Sequence, residues 1–257
     1  MLTRSIMLST SFAFAAAATV AFGASCAQPV LNCTSAHGAF AAEYSLTKGD
    51  PDAACAQLQG DVLGIQTYFQ AGGPNGTPDY QRAKVAIRPR SLGARIDDAA
   101  ARGVIDADEL FHRANAVGAF TAGFPDDQSF CQVEDFADAE VSLPELPAVP
   151  DDAKTPDEDE SRPAEPASEI RYRWSGARFV VSADAQGTQF EAELELRQDG
   201  CEAEYHVVGV YPSVACETDE ECNDETNGIN PDFALRCNTS LGLCVLDKEL
   251  PAYEDAT

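Results

Sequence analysis

The chain has 257 residues and is strongly acidic, with 43 aspartates and glutamates against 17 lysines and arginines and a formal net charge of −26 at pH 7. A surface this acidic repels the phosphate backbone, so we exclude nucleic-acid binding by general electrostatic attraction. The length suits one domain with a full hydrophobic core plus a small appendage.

Residues 1–27 have the pattern of a secretory signal peptide. Arg4 gives a basic start, and an apolar stretch covers 6–22. This stretch is shorter than the about 20 strongly apolar residues of a membrane span. We therefore predict export from the cytoplasm, and we expect no transmembrane span anywhere in the chain.

Two cleavage sites are compatible with this segment. Cleavage after Ala27 predicts a soluble exported protein, and this is the interpretation we favour. Alternatively, Ala24-Ser25-Cys26 resembles the end of a bacterial lipoprotein cleavage box, although Gly23 stands where such a box normally has leucine. In that case Cys26 would be lipidated and would anchor the protein to a membrane.

Either cleavage leaves eight of the nine cysteines available for pairing. An even number of cysteines in an exported chain predicts a disulfide framework. For the last four we predict interleaved bridges, because interleaving staples a short segment at both ends, and for the others we choose the more local pair. The predicted bridges are Cys216–Cys237, Cys222–Cys244, Cys33–Cys55 and Cys131–Cys201.

Residues 28–142 are predicted to form the N-terminal part of a β domain. Several runs alternate apolar and polar residues with a period of two, which is typical of half-buried strands. One segment instead has helical spacing and is followed by Gly103, a natural residue after a helix end. The predicted strands are 40–46, 63–69, 84–88 and 116–120, and the predicted helix is 92–102.

Residues 143–168 are predicted to be an acidic, proline-rich linker or loop. Prolines cannot donate to a β ladder. The segment also has too few large apolar side chains to offset the entropy of ordering it. We therefore expect it to be accessible to proteases.

Residues 169–212 are predicted to form an antiparallel β meander that completes the domain. Asp199-Gly200 is the strongest two-residue hairpin signal available. It pairs Leu194 with Tyr205 and Leu196 with Ala203, so that every inward residue meets an inward residue. On the outer face we expect Glu193 and Glu195 to be exposed.

Residues 213–257 are predicted to be a small cysteine-rich module. The spacing of its cysteines is too wide for the tight pairs of a zinc ribbon, which favours disulfides. Asp219, Glu221 and Asp224 crowd one loop and could form a weak calcium site. A calcium-loop match nevertheless fails, because Ala234 stands where a bidentate glutamate is needed. Our main expectation is that the chain has no cofactor.

The sequence contains no recognisable catalytic constellation. Nucleophile elbows, zinc-binding helices, phosphate loops and dinucleotide fingerprints are all missing from it. His206 should face Glu193 across the hairpin, which is typical of a surface pair. Carboxylates are abundant enough to hide a hydrolytic acid pair, so a secreted hydrolase stays open as an alternative, as does a lipocalin-like binder of small ligands.

Four segments together carry a resemblance. They are 32–40, 143–160, the Asp199-Gly200-Cys201 hairpin and a tail over 231–246. In these segments the chain resembles uncharacterised exported proteins of myxobacteria and related deltaproteobacteria, many of which are described as lipoproteins. The resemblance covers most of the mature chain. It implies an exported location, and it implies no activity.

These observations predict a mostly β fold, all-β or β-rich α+β, built as an antiparallel sandwich or curved sheet with a disulfide-rich C-terminal module. We predict a non-catalytic envelope or extracellular protein with an unidentified binding role. Its location would be periplasmic, outer-membrane-attached or extracellular.

Overall fold

The computed structural model describes residues 30–72, 74–151 and 161–254. The predicted signal peptide and Cys26 lie outside the described residues. The strands are β1 (Gly38–Gly49), β2 (Gly60–Ala71), β3 (Pro78–Pro89), β4 (Ala116–Ala119), β5 (Phe130–Asp135), β6 (Ala139–Leu143), β7 (Ser168–Val181), β8 (Gln186–Gln198), β9 (Cys201–Val210), β10 (Leu235–Asn238) and β11 (Leu243–Leu246). The helices are α1 (Arg90–Ala101), α2 (Ala107–Arg113) and α3 (Asp219–Cys222), with short 3-10 turns at Ala54–Ala56 and Pro74–Gly76.

The first nine strands form one antiparallel sheet, in the order β4-β3-β2-β1-β9-β8-β7-β5, with β6 also pairing with β7. The two edges of this sheet approach each other. Gly118 of β4 forms a bridge with Phe136, just after β5, and the Ala137 amide donates to the Val117 carbonyl at 3.0 Å. The sheet is therefore a nearly closed, barrel-like structure, and of the two predicted arrangements the curved sheet is the one observed.

The period-two pattern determines which side chains fill the interior of this sheet. Inward positions carry large apolar residues, and their side chains are buried. Aromatic rings contact one another there, with Phe179 and Phe190 stacked at 5.5 Å and Phe40 edge-on to Phe190 at 5.6 Å. The largest fully buried side chains also include Trp174, Tyr205, Leu63, Ile65, Ile87 and Leu194.

The hairpin between β8 and β9 has the predicted register. Leu194 lies opposite Tyr205 and Leu196 opposite Ala203, and both leucines are buried. The prediction that Glu195 is exposed is wrong, because its side chain is only 21% exposed and forms ion pairs with Arg173 and Arg197. Glu193 is exposed, as predicted.

Helix α1 confirms the predicted helix, although it begins two residues earlier. Pro89 stands at its N-cap and offers no side-chain acceptor. Asp61 of β2 takes that role from outside the helix, since its carboxylate accepts hydrogen bonds from the Ser91 amide at 3.2 Å and the Ser91 hydroxyl at 2.5 Å. After the helix, Gly103 has φ +73°, the left-handed conformation that suits glycine.

All eight predicted cysteines are paired, but two of the predicted bridges are wrong. The observed bridges are Cys33–Cys131, Cys55–Cys201, Cys216–Cys237 and Cys222–Cys244. The error came from preferring proximity in sequence. The pairing of Gly49 with Ala203 places the β1–β2 connection, which contains Cys55, beside the start of β9 at Cys201. Closure of the sheet brings the chain before β1 close to β5, where the Cys33 amide donates to the Gly123 carbonyl.

The described ends of the predicted linker, 143–151 and 161–168, contact each other. Leu146 bridges to Glu165 and Val149 to Arg162, and Leu146 is buried. Arg102, whose side chain is 1% exposed, binds the Pro147 and Pro163 carbonyls at 2.8 and 2.7 Å. The two ends are thus attached to the C-terminus of α1, while the protease accessibility of the segment stays a prediction.

The C-terminal module packs against the outside of the sheet. Its buried cluster includes Phe233 and Ile229 together with Ala41 of β1 and Val210 of β9. Arg236 forms an ion pair with Glu43 at 2.6 Å. The two disulfides predicted for this module are confirmed.

Candidate ligand-binding face

The interior of the sheet is occupied by protein side chains. Phe120, Phe179, Phe190 and Phe40 form a continuous chain of ring contacts with centroid distances of 5.5 to 5.7 Å. These rings fill the space in which a lipocalin-like barrel holds its ligand. A binding site for a ligand is therefore better sought on the outside.

One outer surface differs from the rest of the molecule. Outward residues of β1 to β4 pair in rows, Ala39 with Gly64 and Gly64 with Arg88, then Gln66 with Ala86 and Ala86 with Val117. Small side chains in each row leave a shallow trough. We call this surface the basic face: Ala39, Gly64, Gln66, Tyr68, Lys84, Ala86, Arg88, Asn115, Val117 and Ala119.

The charge of the basic face is opposite to that of the whole chain. None of its ten residues is acidic, although the chain carries a net charge of −26. Lys84 is exposed and Arg88 half-buried. Neither takes part in any of the ion pairs found among the described residues, and the same holds for Arg90 at the adjoining start of α1.

Arg88 lies between two depressions of this surface. One is lined by His37, Gln66, Tyr68 and Asn115, among others. The other extends toward α1 and α2. The Arg88 guanidinium stands 4.8 Å above the ring of Phe111, a cation–π contact that holds the positive group in place.

The second depression also contains one acidic group. Arg88 and Arg90 line it together with Asp97 of α1. Lys84 lies two rows away on the same strand, and Asp61 interacts with Arg90 at the edge of this region, so three positive charges face two negative charges. An anion can therefore bind without displacing an existing ion pair, which favours this face as an anion site.

Uncharged groups between the positive charges add hydrogen-bonding capacity. Tyr68 is 51% exposed, and its hydroxyl donates to the Gln66 side chain at 3.1 Å. The Asn115 amide donates to the Phe111 carbonyl at 2.6 Å, which leaves its carbonyl oxygen for another partner. The face thus combines charge, hydrogen bonding and an exposed aromatic ring.

Asp61 has an unusual carboxyl group close to the edge of this face. Burial raises its pKa above the ordinary value of 3.8, while the hydrogen bonds from Ser91 and the charge of Arg90 act in the opposite direction. Its oxygens accept from the amides of Val62 and Ser91. These contacts give Asp61 a structural role at the start of α1.

The residues considered for calcium use their carboxylates within the module. Asp219 accepts from the Cys237 amide at 2.7 Å, Glu221 from the Glu217 amide at 2.6 Å, and Asp224 from the Thr226 amide at 2.8 Å. In the part of the chain that the structure describes, one group has metal-ligand geometry, Cys216, Cys222 and Cys237. Their sulfurs already form disulfides.

His206 contacts Glu193 at 2.9 Å, as the hairpin register predicts. Both side chains are exposed, with fractions of 38% and 55%. The contact is therefore a surface pair in the meander, and a catalytic role has no support from its surroundings.

The sequence signal for the basic face was overlooked. Residues 80–96 contain five basic residues and no acidic one, in a chain where acids outnumber bases more than twofold. The alternation of Lys84, Ala86 and Arg88 places these side chains on the outer surface of one strand. Only the pairing of β3 with β2 and β4 showed that the residues directly opposite these cations carry no acid either, since Lys84 faces Tyr68 and Ala119 and Arg88 faces Gly64.

Among the described residues, no helix is both long enough and apolar enough to cross a membrane.

A family model described as MlpA matches residues 38–212, a range that contains the whole nine-stranded sheet. No curated protein matches the chain, and no solved structure matches it.

Proposed function

The chain belongs to the MlpA family, and we propose that it is an exported, non-catalytic binding protein that holds an anionic partner on the basic face. The observation that carries this proposal is a set of three cations, Lys84 and Arg88 on the basic face and Arg90 beside it. They take part in none of the ion pairs found among the described residues, and the ten residues of the basic face include no acid. The four disulfides agree with a location outside the cytoplasm.

The distribution of charge favours a role for this surface in binding over a role in keeping the protein soluble. A protein with a charge of −26 needs no further cations to stay soluble. Elsewhere, arginines such as Arg173 and Arg178 lie against carboxylates. Concentrating unpaired cations in one place instead creates a local positive potential that attracts anions and weakens as salt is added.

Retention on immobilised dextran sulfate tests the proposal. We expect the protein to be retained at low salt despite its overall charge, and to elute as salt is raised. The double variant Lys84→Gln/Arg88→Gln should lose retention. Lys48→Gln/Arg197→Gln is the matched control, since it removes the same charge from exposed strand positions elsewhere and should be retained like the wild type.

Two results would contradict the proposal. One is a wild-type protein that passes through at low salt, because the basic face would then be too weak against the total charge. The other is equal loss of retention in both double variants, because binding would then follow net charge and not the basic face. Unchanged melting temperatures would show that either result concerns binding and not folding.

We propose that the protein is exported, on the evidence of the signal-peptide pattern in residues 1–27, and that its mature form is soluble. Mass spectrometry of the protein isolated from its native host would test both points. We expect an N-terminus at Gln28, with lipid-modified Cys26 as the outcome that supports the anchored alternative suggested by the resemblance to myxobacterial lipoproteins. An intact N-terminus in the native protein would contradict export through this segment.

A further inference from the structure

We infer that the ligand of the basic face is a carboxylate-bearing polysaccharide, an inference that rests on the proposed function and names its ligand class. The argument begins with the spacing of the charges. Lys84 and Arg88 are four residues apart on the outer side of β3, which corresponds to about 13 Å along the strand. A ligand that contacts both must be extended, which a single small anion is not.

The chemistry between the two cations narrows the ligand further. Gln66 and Asn115 offer amide groups that can bond to hydroxyls, and the half-exposed ring of Tyr68 offers a flat apolar surface. A chain of sugar rings carries hydroxyls at its edges and apolar C–H groups on its faces, with carboxylates at intervals. The hydroxyls, ring faces and carboxylates of such a chain are complementary to the amides, the aromatic ring and the cations of the trough.

The shape of the trough also suits a thin polymer. Ala86 lies between the cations and Gly64 lies beside Arg88 on the neighbouring strand. A Cβ added at Gly64 would meet only the Arg88 carbonyl oxygen, at 3.7 Å. The space above Gly64 is therefore open and can accept a ring lying on the strands. A larger side chain at this position would fill the trough without altering any charge.

Two other anionic partners fit the molecule less well. A flat anionic membrane would bring the acidic remainder of the chain within a Debye length, about 8 Å at physiological salt, and would be repelled. The exposed aliphatic residue of the face is Val117, at 37%, which is little apolar area for insertion. An acidic polypeptide supplies carboxylates but no hydroxyl-edged rings to stack on Tyr68.

Calorimetric titration of the full chain with three probes tests the inference. The probes are polygalacturonate, polyglutamate and vesicles containing phosphatidylglycerol. We expect polygalacturonate to bind most tightly. Tyr68→Ala and Gly64→Val should each weaken its binding by about tenfold, a value typical for the loss of one good contact, and should leave binding to polyglutamate unchanged.

The outcomes separate this inference from the proposed function. If polyglutamate binds as tightly as polygalacturonate, or if only the vesicles bind, the sugar specificity is wrong while anion binding at the face stands. If Tyr68→Ala and Gly64→Val have no effect on polygalacturonate, the trough is not the site of the polymer. If no probe binds and dextran sulfate does not retain the protein, both proposals fail. Lys48→Gln serves as the control that should bind like the wild type.

Discussion

Charged side chains are arranged differently on two outer faces of the sheet. On β7 to β9, positive and negative side chains alternate and pair, as in Arg178 with Glu191 and Arg197 with Glu202. On β1 to β4, the cations Lys84 and Arg88 have no acidic partner within the part of the chain that the structure describes. Both faces cover the same apolar interior, so the core does not require the difference.

The comparison shows what each face can contribute. Exposed ion pairs satisfy each other, and they typically add at most about 1 kcal/mol each to stability. Unpaired cations contribute nothing to folding through pairing, but they remain available to a ligand. Our proposal therefore places ligand binding on the basic face and not on the paired face.

Substitutions beneath the two faces should have the largest effects and should not distinguish the faces. Leu194 lies under the paired face and Ile87 under the basic face, and both are buried. Replacing either by alanine should lower the free energy of unfolding by about 2–5 kcal/mol. Glu195→Gln, the surface control, should cost less than about 1 kcal/mol, because it loses only partly exposed ion pairs.

Thermal and denaturant unfolding of the oxidised protein would check this prediction. Equal effects of Leu194→Ala and Glu195→Gln would contradict the assignment of inward and outward faces. A small effect of Ile87→Ala alone would mean that the basic face does not cover a packed core.

Much of the fold could be predicted from the sequence because its signals were local. The Asp199-Gly200 turn and the alternation around Leu194 indicate the same register, and the pairing of Cys216 with Cys237 lies within a short module. Closure of the sheet is a long-range event, and Cys33 finds Cys131 only once both edges meet. Local spacing therefore could not predict that bridge.

The candidate site was harder to predict for a related reason. Its cations were visible within one strand, at Lys84 and Arg88. Their significance depends on the absence of acidic side chains directly opposite them on the adjacent strands. It also depends on the contact between Arg88 and Phe111 of α2. Similarly, nothing near Glu195 in the chain indicated that Arg173, on another strand, would pair with it.

Arg102 presents a third case, a cation whose own side chain is almost fully buried. Its guanidinium binds Asp98 at 2.7 Å and two carbonyls of the segment 143–168. Arg102→Met should lower the free energy of unfolding by about 1.5–3 kcal/mol, the range for hydrogen bonds to charged groups. It should also speed limited proteolysis within 143–168.

A non-reducing gel would show how the cut protein is held. Cys55–Cys201 crosses the predicted cleavage region, so both pieces should migrate together until they are reduced. Arg95→Met is the control within the same helix. If proteases spare 143–168 in the Arg102 variant and cut elsewhere, the segment does not depend on this contact.

Asp61 adds a test by pH, because it is a partly buried acid that interacts with Arg90 at the edge of the basic face. Burial raises its pKa in the folded protein, so the native state binds this proton more tightly than the unfolded chain does. Its ionisation therefore lowers stability as pH rises from the ordinary value of 3.8 through the raised pKa. Asp61→Asn retains an acceptor for Ser91 and removes this loss.

Melting curves of wild type and Asp61→Asn over a pH series would measure the effect. We expect the variant to gain stability relative to the wild type as pH rises toward neutrality, and the two to converge at low pH. A difference that grows in the opposite direction would mean that Arg90 and the Ser91 hydrogen bonds outweigh burial.

The smallest effects should separate the two faces most directly. Arg178 pairs with Glu191 and stands 4.4 Å above the ring of Phe130, so Arg178→Gln should cost about 0.5–1.5 kcal/mol of unfolding free energy. Lys84→Gln should change it by less than about 0.5 kcal/mol, because no partner is lost. Binding to polyanions should follow the reverse order, weakened by Lys84→Gln and unchanged by Arg178→Gln.

Added salt should reduce the stability cost of Arg178→Gln, since screening weakens the ion pair that the wild type has. The stability of the Lys84→Gln variant should stay equal to that of the wild type as salt is added. Equal stability losses in the two variants would show that Lys84 has a partner in solution, and the basic face would then be no more available to a ligand than the paired face.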